Sequence, residues 1–188
     1  MKRLLIFIII GFLFIVMVSC VFAQTNTVSK IVIEAEHFSQ ITPSMKVSVD
    51  NKASRGKCIE IPLILPHGTD ESGPSDTGKT VYKIKIPADG IYRFWARCWW
   101  YDGCGNSFFL QCDSKPKVTL GSDQTFKKYH WVKGPKLKLS QGIHYIRVIN
   151  REDGAKMDQW LLWLLDSSSK DNWIPVRAER ETGQYIVE

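Results

Sequence analysis

Residues 81–100 read Val81-Tyr82-Lys83-Ile84-Lys85-Ile86-Pro87-Ala88-Asp89-Gly90-Ile91-Tyr92-Arg93-Phe94-Trp95-Ala96-Arg97-Cys98-Trp99-Trp100, and they decide the fold. From Tyr82 to Ile86 apolar and polar residues alternate, so Tyr82, Ile84 and Ile86 share one face and the lysines the other. A period of two is that of a half-buried strand. Pro87-Ala88-Asp89-Gly90 is a turn signal, with Gly90 free to take the positive φ that closes a hairpin. The chain is expected to return as a strand from Ile91 to Trp100. Along it Tyr92, Phe94, Ala96 and Cys98 form one face, suited to a core, and Trp95, Arg97 and Trp99 the other.

The same reading extends in both directions. Short runs at 31–36, 57–65, 107–112, 117–120, 131–139, 143–150 and 157–165 are separated by turn residues such as Ser54-Arg55-Gly56 and Ser140-Gln141-Gly142. None carries a helical stripe over three turns. Trp160 to Leu165 is continuously apolar, and its length favours a central strand over a buried helix. About ten strands without helices imply an all-β fold of two packed antiparallel sheets, a β-sandwich of jelly-roll type. His67 to Gly78 is the longest loop, and the stretch from Trp173 onward is expected to be partly ordered at best.

The N-terminus has the form of an export signal: Lys2 and Arg3, an apolar run from Leu4 to Val18, then Val21-Phe22-Ala23 with small residues at −3 and −1. Cleavage there, lipidation at Cys20 and an uncleaved membrane anchor are three outcomes open to it. Each places the domain outside the cytoplasm, as a secreted, periplasmic or cell-surface protein. The organisation expected is a signal peptide (1–23), a short linker (24–29), the sandwich (30–166) and a C-terminal tail (167–188). The net charge of +6 includes Lys2 and Arg3, and the rest is spread without blocks. This argues against nucleic acid as a partner. Cys58, Cys98, Cys104 and Cys112 remain beyond the signal. In an oxidising compartment they are expected to form two disulfides, with three connectivities open, and a hairpin about Gly105 would set Cys98 opposite Cys112.

Two groups of residues could carry chemistry. Glu34 and Glu36, two apart on a strand, would share a face, where a hard cation such as calcium relieves their repulsion. A solvated strand edge is the plainer explanation. Trp95, Arg97 and Trp99, followed by Trp100-Tyr101-Asp102-Gly103-Cys104-Gly105-Asn106, gather aromatic rings and polar groups of the kind that stack on and hydrogen-bond sugars. They could equally cover the outside of a sheet beneath a loop. No nucleophile–base ordering, metal-hydrolase motif or nucleotide fingerprint is present, so an enzyme is not expected.

Several features in order resemble carbohydrate-binding modules of the family 6 and family 35 type. They are Glu34-Ala35-Glu36, Ser54-Arg55-Gly56-Lys57, Tyr82-x-x-x-Ile86-Pro87-Ala88-x-Gly90-x-Tyr92, Trp131, Leu139-x-x-Gly142-x-His144, and Asp158 before the final apolar strand. The resemblance covers residues 30–166 and implies a non-catalytic, galactose-binding-like β-jelly-roll with a structural Ca2+. It implies calcium ligands at Glu34, Glu36, a backbone carbonyl near Arg55, and Asp158. It places the sugar site in loops at one end, on Trp99, Trp100, Tyr101 and Trp131, with Asn106 or Asn150 as the amide; the surroundings of Trp131 and Arg151 are the other location expected for a ligand. The expected function is binding of a polysaccharide or glycan. A structural or adhesive domain that kept the fold, with other cell-envelope proteins as partners, is the alternative.

Overall fold

The structure is a computed structural model that describes residues 30–64, 74, 76–165, 171–182 and 185–187. The expected signal peptide, linker and Cys20 lie outside the described residues, as do His67 and most of its loop. Among the described residues there are eleven strands: β1 (Lys30–Glu34), β2 (Gln40–Ile41), β3 (Lys46–Val49), β4 (Lys57–Glu60), β5 (Lys79–Ile86), β6 (Gly90–Trp99), β7 (Ser107–Cys112), β8 (Val118–Gly121), β9 (His130–Leu139), β10 (Gly142–Ile149) and β11 (Lys156–Leu165). One sheet runs β3-β4-β11-β6-β9, with β1 also paired to β11, and the other runs β2-β5-β10-β7-β8. The expected antiparallel sandwich is therefore the observed fold, and Trp160–Leu165 lies in its central strand, β11.

The hairpin expected at 87–90 does not form. β5 pairs with β10 and β2, whereas β6 pairs with β11 and β9, so the turn carries the chain from one sheet to the other. Both strands have a fully apolar face, and each buries it best against the opposite sheet. Tyr82, Ile84 and Ile86 thus meet Tyr92, Phe94, Ala96 and Cys98 in one core. Trp160 sits at its centre, stacked on Phe94 at 5.7 Å and edge-on to Tyr82 at 5.1 Å. Each large side chain buried there contributes about 1.5–3 kcal/mol.

The sheet change also separates the cysteines. Cys98 ends up on β6 and Cys112 on β7, in different sheets, so they do not face each other. No disulfide joins Cys58, Cys98, Cys104 and Cys112, against the expected two. Cys58, Cys98 and Cys112 are buried as small core residues, and desolvation raises the pKa of each thiol.

Alternation puts Arg93, Trp95, Arg97 and Trp99 on the outer face of the six-stranded sheet. There Trp95 is 3% exposed, packed with Val32 and Leu161 and flanked by Trp131, Trp163 and Trp173. The cover is the segment after β11. Asp171 pairs with Arg93, Trp173 meets Trp163 at 5.3 Å, and Arg177 accepts the Trp131 indole N–H at 2.8 Å. Glu179 binds Lys30 and the Gln159 amide, while Thr182 exchanges backbone and hydroxyl hydrogen bonds with Val32. Beyond it, Tyr185 is buried and Val187 donates to Lys83 of β5. Residues expected to be loosely ordered thus act as a strap over an aromatic sheet face.

Candidate functional site

The loops that follow β6, β8 and β10 meet at one end of the sandwich. Asn106 N–H and the Ser107 hydroxyl both donate to the Glu152 carboxylate, at 3.0 and 2.7 Å, and Arg151 pairs with that carboxylate. Asp153 accepts the Ile64 N–H at 2.6 Å, and Gly154 N–H donates to Ile61. A side chain at Gly105 would strike the Asp153 carbonyl, at 2.4 Å from the added carbon, so the two loops are in direct backbone contact. Glu152 and Asp153 are buried although they read as an ordinary polar turn. Isolated in sequence, they carry no signal of the partners that the fold brings to them.

This scaffold absorbs four of the residues expected to touch a sugar. Trp100 is 0% exposed, lies against Phe108 and His130, and donates its indole N–H to Asp123, so it offers no ring face to a ligand. The Asn106 side chain bridges Gly103 and Ser122, and that of Asn150 bridges Ser44 and Asp76. Arg151 donates to Ser107 and lies over Phe109. These positions hold the loops together, because a buried polar group must find its partners inside the protein.

Trp99, Tyr101 and Trp131 behave differently: all three are half-buried. Trp99 and Tyr101 lie 6.3 Å apart with planes inclined by 54°. Lys156 sits over Trp99 at 5.0 Å and is held by Asp50 at 3.1 Å. Asp50 also accepts the Tyr129 hydroxyl at 3.1 Å, and the Arg97 guanidinium lies over the Tyr129 ring at 4.8 Å. Arg97 is in turn the cross-strand neighbour of Trp131. The result is one continuous surface of rings and cations, with a cleft of ≈ 370 Å³ lined by Arg97, Lys128, Tyr129, His130, Trp131 and the 174–177 stretch of the strap. Tyr129 was missed in the sequence. The run Lys127-Lys128-Tyr129-His130-Trp131, basic and aromatic together, was the available signal.

The acidic group lies elsewhere, at the end of β1. The strand ends at Glu34, so Glu36 is in a turn rather than on the same strand face as expected. Glu34 accepts from Ser54 and Gln159 and faces Arg55 at 3.5 Å. Asp158 accepts the Ser54 N–H at 2.8 Å and pairs with Arg97. Glu36 differs: its Oε2 is buried with no hydrogen-bond partner. Desolvation is the main cause that raises the pKa of both Glu34 and Glu36; Asp158 adds to both, and Glu34 adds to the rise at Glu36. An orphaned carboxylate oxygen among neighbouring carboxylates fits a hard cation.

No family model and no curated protein matches the sequence. Solved structures do. A GH26-CBM35 β-(1,4)-mannanase of Podospora anserina superposes with a TM-score of 0.58 at 13% identity, over 76% of this chain and 29% of that one. A family 35 carbohydrate-binding module from Clostridium thermocellum gives 0.54 at 15%, over 73% of this chain and 99% of that one. An exo-β-1,3-galactanase from Phanerochaete chrysosporium gives 0.53 at 18%, over 72% and 29%. This chain therefore spans under a third of the two enzymes but nearly all of the isolated module. Its fold is that of a carbohydrate-binding module. Among such modules, the solved structures it superposes on include both families named by the resemblance, 35 and 6.

Proposed function

We propose that this chain is an exported, non-catalytic module that binds a polysaccharide or glycan through the ring-and-cation surface of Trp99, Tyr101, Tyr129 and Trp131. The observation that carries the proposal is the set of half-buried rings beside an open cleft, with Tyr129 and Trp131 fixed by hydrogen bonds and Trp99 and Tyr101 packed on each other. Locked rings stack on the C–H faces of sugars at little entropic cost, and Arg97, Lys128 and Lys156 supply donors for hydroxyl or acidic groups. Retention in affinity gels cast with a panel of neutral and acidic polysaccharides tests it. Wild type should be retarded by at least one member. Trp131→Ala and Tyr101→Ala should each weaken binding about tenfold or more, with melting curves run alongside to exclude unfolding. A folded double variant that binds like wild type would move the site off this surface. Absence of any retardation of wild type would favour the structural, cell-envelope reading, which the strap over Trp95 and the burial of Trp100 support.

The same proposal includes a structural calcium ion held by Glu34, Glu36, Asp158 and the main chain near Arg55. It would supply the positive charge that Glu36 lacks. Because the folded pKa values of Glu34 and Glu36 are raised, charging them opposes folding. In chelator that penalty grows as pH rises through their folded pKa values. Added calcium should then raise the melting temperature at pH 7, and less so near pH 4 where the carboxyls protonate. Equal midpoints in calcium and chelator at pH 7 would remove the ion.

A further inference from the structure

At the opposite end of the sandwich, where β7 and β9 finish and β10 begins, three different ligand types meet. The Cys112 thiol, a carboxylate oxygen of Asp113 and a ring nitrogen of His144 all lie within 4.8 Å of one another. We propose that they form a binding site for a borderline-soft divalent transition metal, zinc above others, with a coordination position open to the adjoining cleft. This site is independent of the carbohydrate reading.

The fold builds the group from the backbone outward. Cys112 ends β7 opposite Ile146 of β10, so its neighbour two residues back along β10 is His144, at the mouth of the core. Asp113 has a left-handed φ of 52° and is tied on three sides. Its N–H donates to Tyr145, its Oδ1 accepts the Tyr145 N–H at 2.8 Å, and its carbonyl accepts from Arg147 at 2.6 Å. Oδ2 is thereby aimed at His144 Nδ1, 2.8 Å away, and at Cys112 Sγ, 3.7 Å away.

The histidine is oriented so that its inner nitrogen can serve as a ligand. Its Nε2 lies 2.9 Å from the carbonyl oxygen of Ser140, which can only accept, so Nε2 carries a proton. In the neutral ring Nδ1 then holds a lone pair, pointed at the carboxylate, which is also an acceptor. Either a proton on Nδ1, giving an imidazolium–carboxylate ion pair, or a metal ion with the ring turned slightly away must then lie between the two. Orientation of the far ring nitrogen by a backbone carbonyl is the arrangement used by metal-bound histidines. One nitrogen, one carboxylate oxygen and one sulfur suit zinc and exclude calcium or magnesium as preferred ions. Bonds of about 2.0–2.3 Å need donor separations of about 3.3–3.8 Å, within reach of a small rotation of His144. On binding, the thiol proton leaves to solvent. The cleft beside the group, ≈ 360 Å³ and lined by Asp89, Ser140 and Lys138 among others, gives room for water or another ligand on the metal.

Cobalt(II) and zinc(II) titrations of chelator-stripped protein test the proposal. Cobalt should produce an intense near-ultraviolet thiolate charge-transfer band that saturates at one equivalent and is displaced by zinc. Cys112→Ser should abolish the band, and His144→Gln should weaken zinc binding roughly tenfold or more, while Glu36→Ala leaves both unchanged. Cys112 is buried and its variant could misfold, but His144 is half-buried and its variant keeps the test decisive. A wild type without the band overturns the proposal and leaves a protonated His144 paired with Asp113. Undiminished zinc affinity in folded His144→Gln overturns it equally.

Discussion

Trp100→Ala is expected to lower the unfolding free energy by about 3–5 kcal/mol, the range for removing a large aromatic side chain from a packed interior. The indole has no exposed surface, contacts Phe108 and His130 at ring distances of 5.8 and 6.0 Å, and anchors Asp123 in the β8–β9 loop through its N–H. The backbone at Trp100 also accepts the Lys127 N–H, so collapse of the cavity would drag that loop inward. Urea denaturation followed by circular dichroism measures the effect. A loss below about 1 kcal/mol would mean that the ring is not packed. Any loss of glycan retention in this variant is a consequence of disturbed loops, which distinguishes it from Tyr101→Ala at the neighbouring position.

Asp158→Ala should cost a similar amount, about 3–5 kcal/mol, when measured in chelator so that no bound ion contributes. The Asp158 carboxylate is fully buried, and it answers both the Ser54 backbone N–H and the Arg97 guanidinium. Its removal leaves a largely buried cation without an anion and an amide without an acceptor. Pairing the change with Arg97→Ala should recover part of the loss, because the orphaned charge then disappears as well. Strict additivity of the two single variants would show that the pair is not coupled and that solvent already screens Arg97.

The fold was legible because its information is local and redundant. Alternation along 82–86 and 92–98 fixes which face of each strand is buried, and it holds whichever strand lies alongside. Partner choice is not local, which is why a hairpin was expected where the chain changes sheets, and why Cys98 and Cys112 were set opposite each other. The site was legible only in part for the same reason. Trp99, Trp100 and Tyr101 are adjacent, but strand alternation and the loop turn send the middle one into the core and leave its neighbours half-buried. Asn106, Asn150 and Arg151 have side chains suited to hydroxyl groups. Apart from Gly103, in the same loop as Asn106, their partners Ser122, Ser44, Asp76 and Ser107 come from segments that sequence spacing does not connect. Tyr129 was passed over because the link through Asp50 to Lys156 exists only once β3, β9 and β11 are in place.

The strap has a mechanical consequence. Lys30 meets Glu179 and Val32 meets Thr182, so the strap runs alongside β1 in the same direction. Tension applied between residue 30 and residue 182 therefore pulls on opposite ends of this pair. The contacts are loaded together in shear instead of parting one after another from an end. With Asp171 anchored to Arg93 and the Arg177 carbonyl on Trp131, the same pull is passed to β6 and β9 in the middle and at the edge of the sheet. A domain joined in this way resists being drawn open along the line from residue 30 to residue 182.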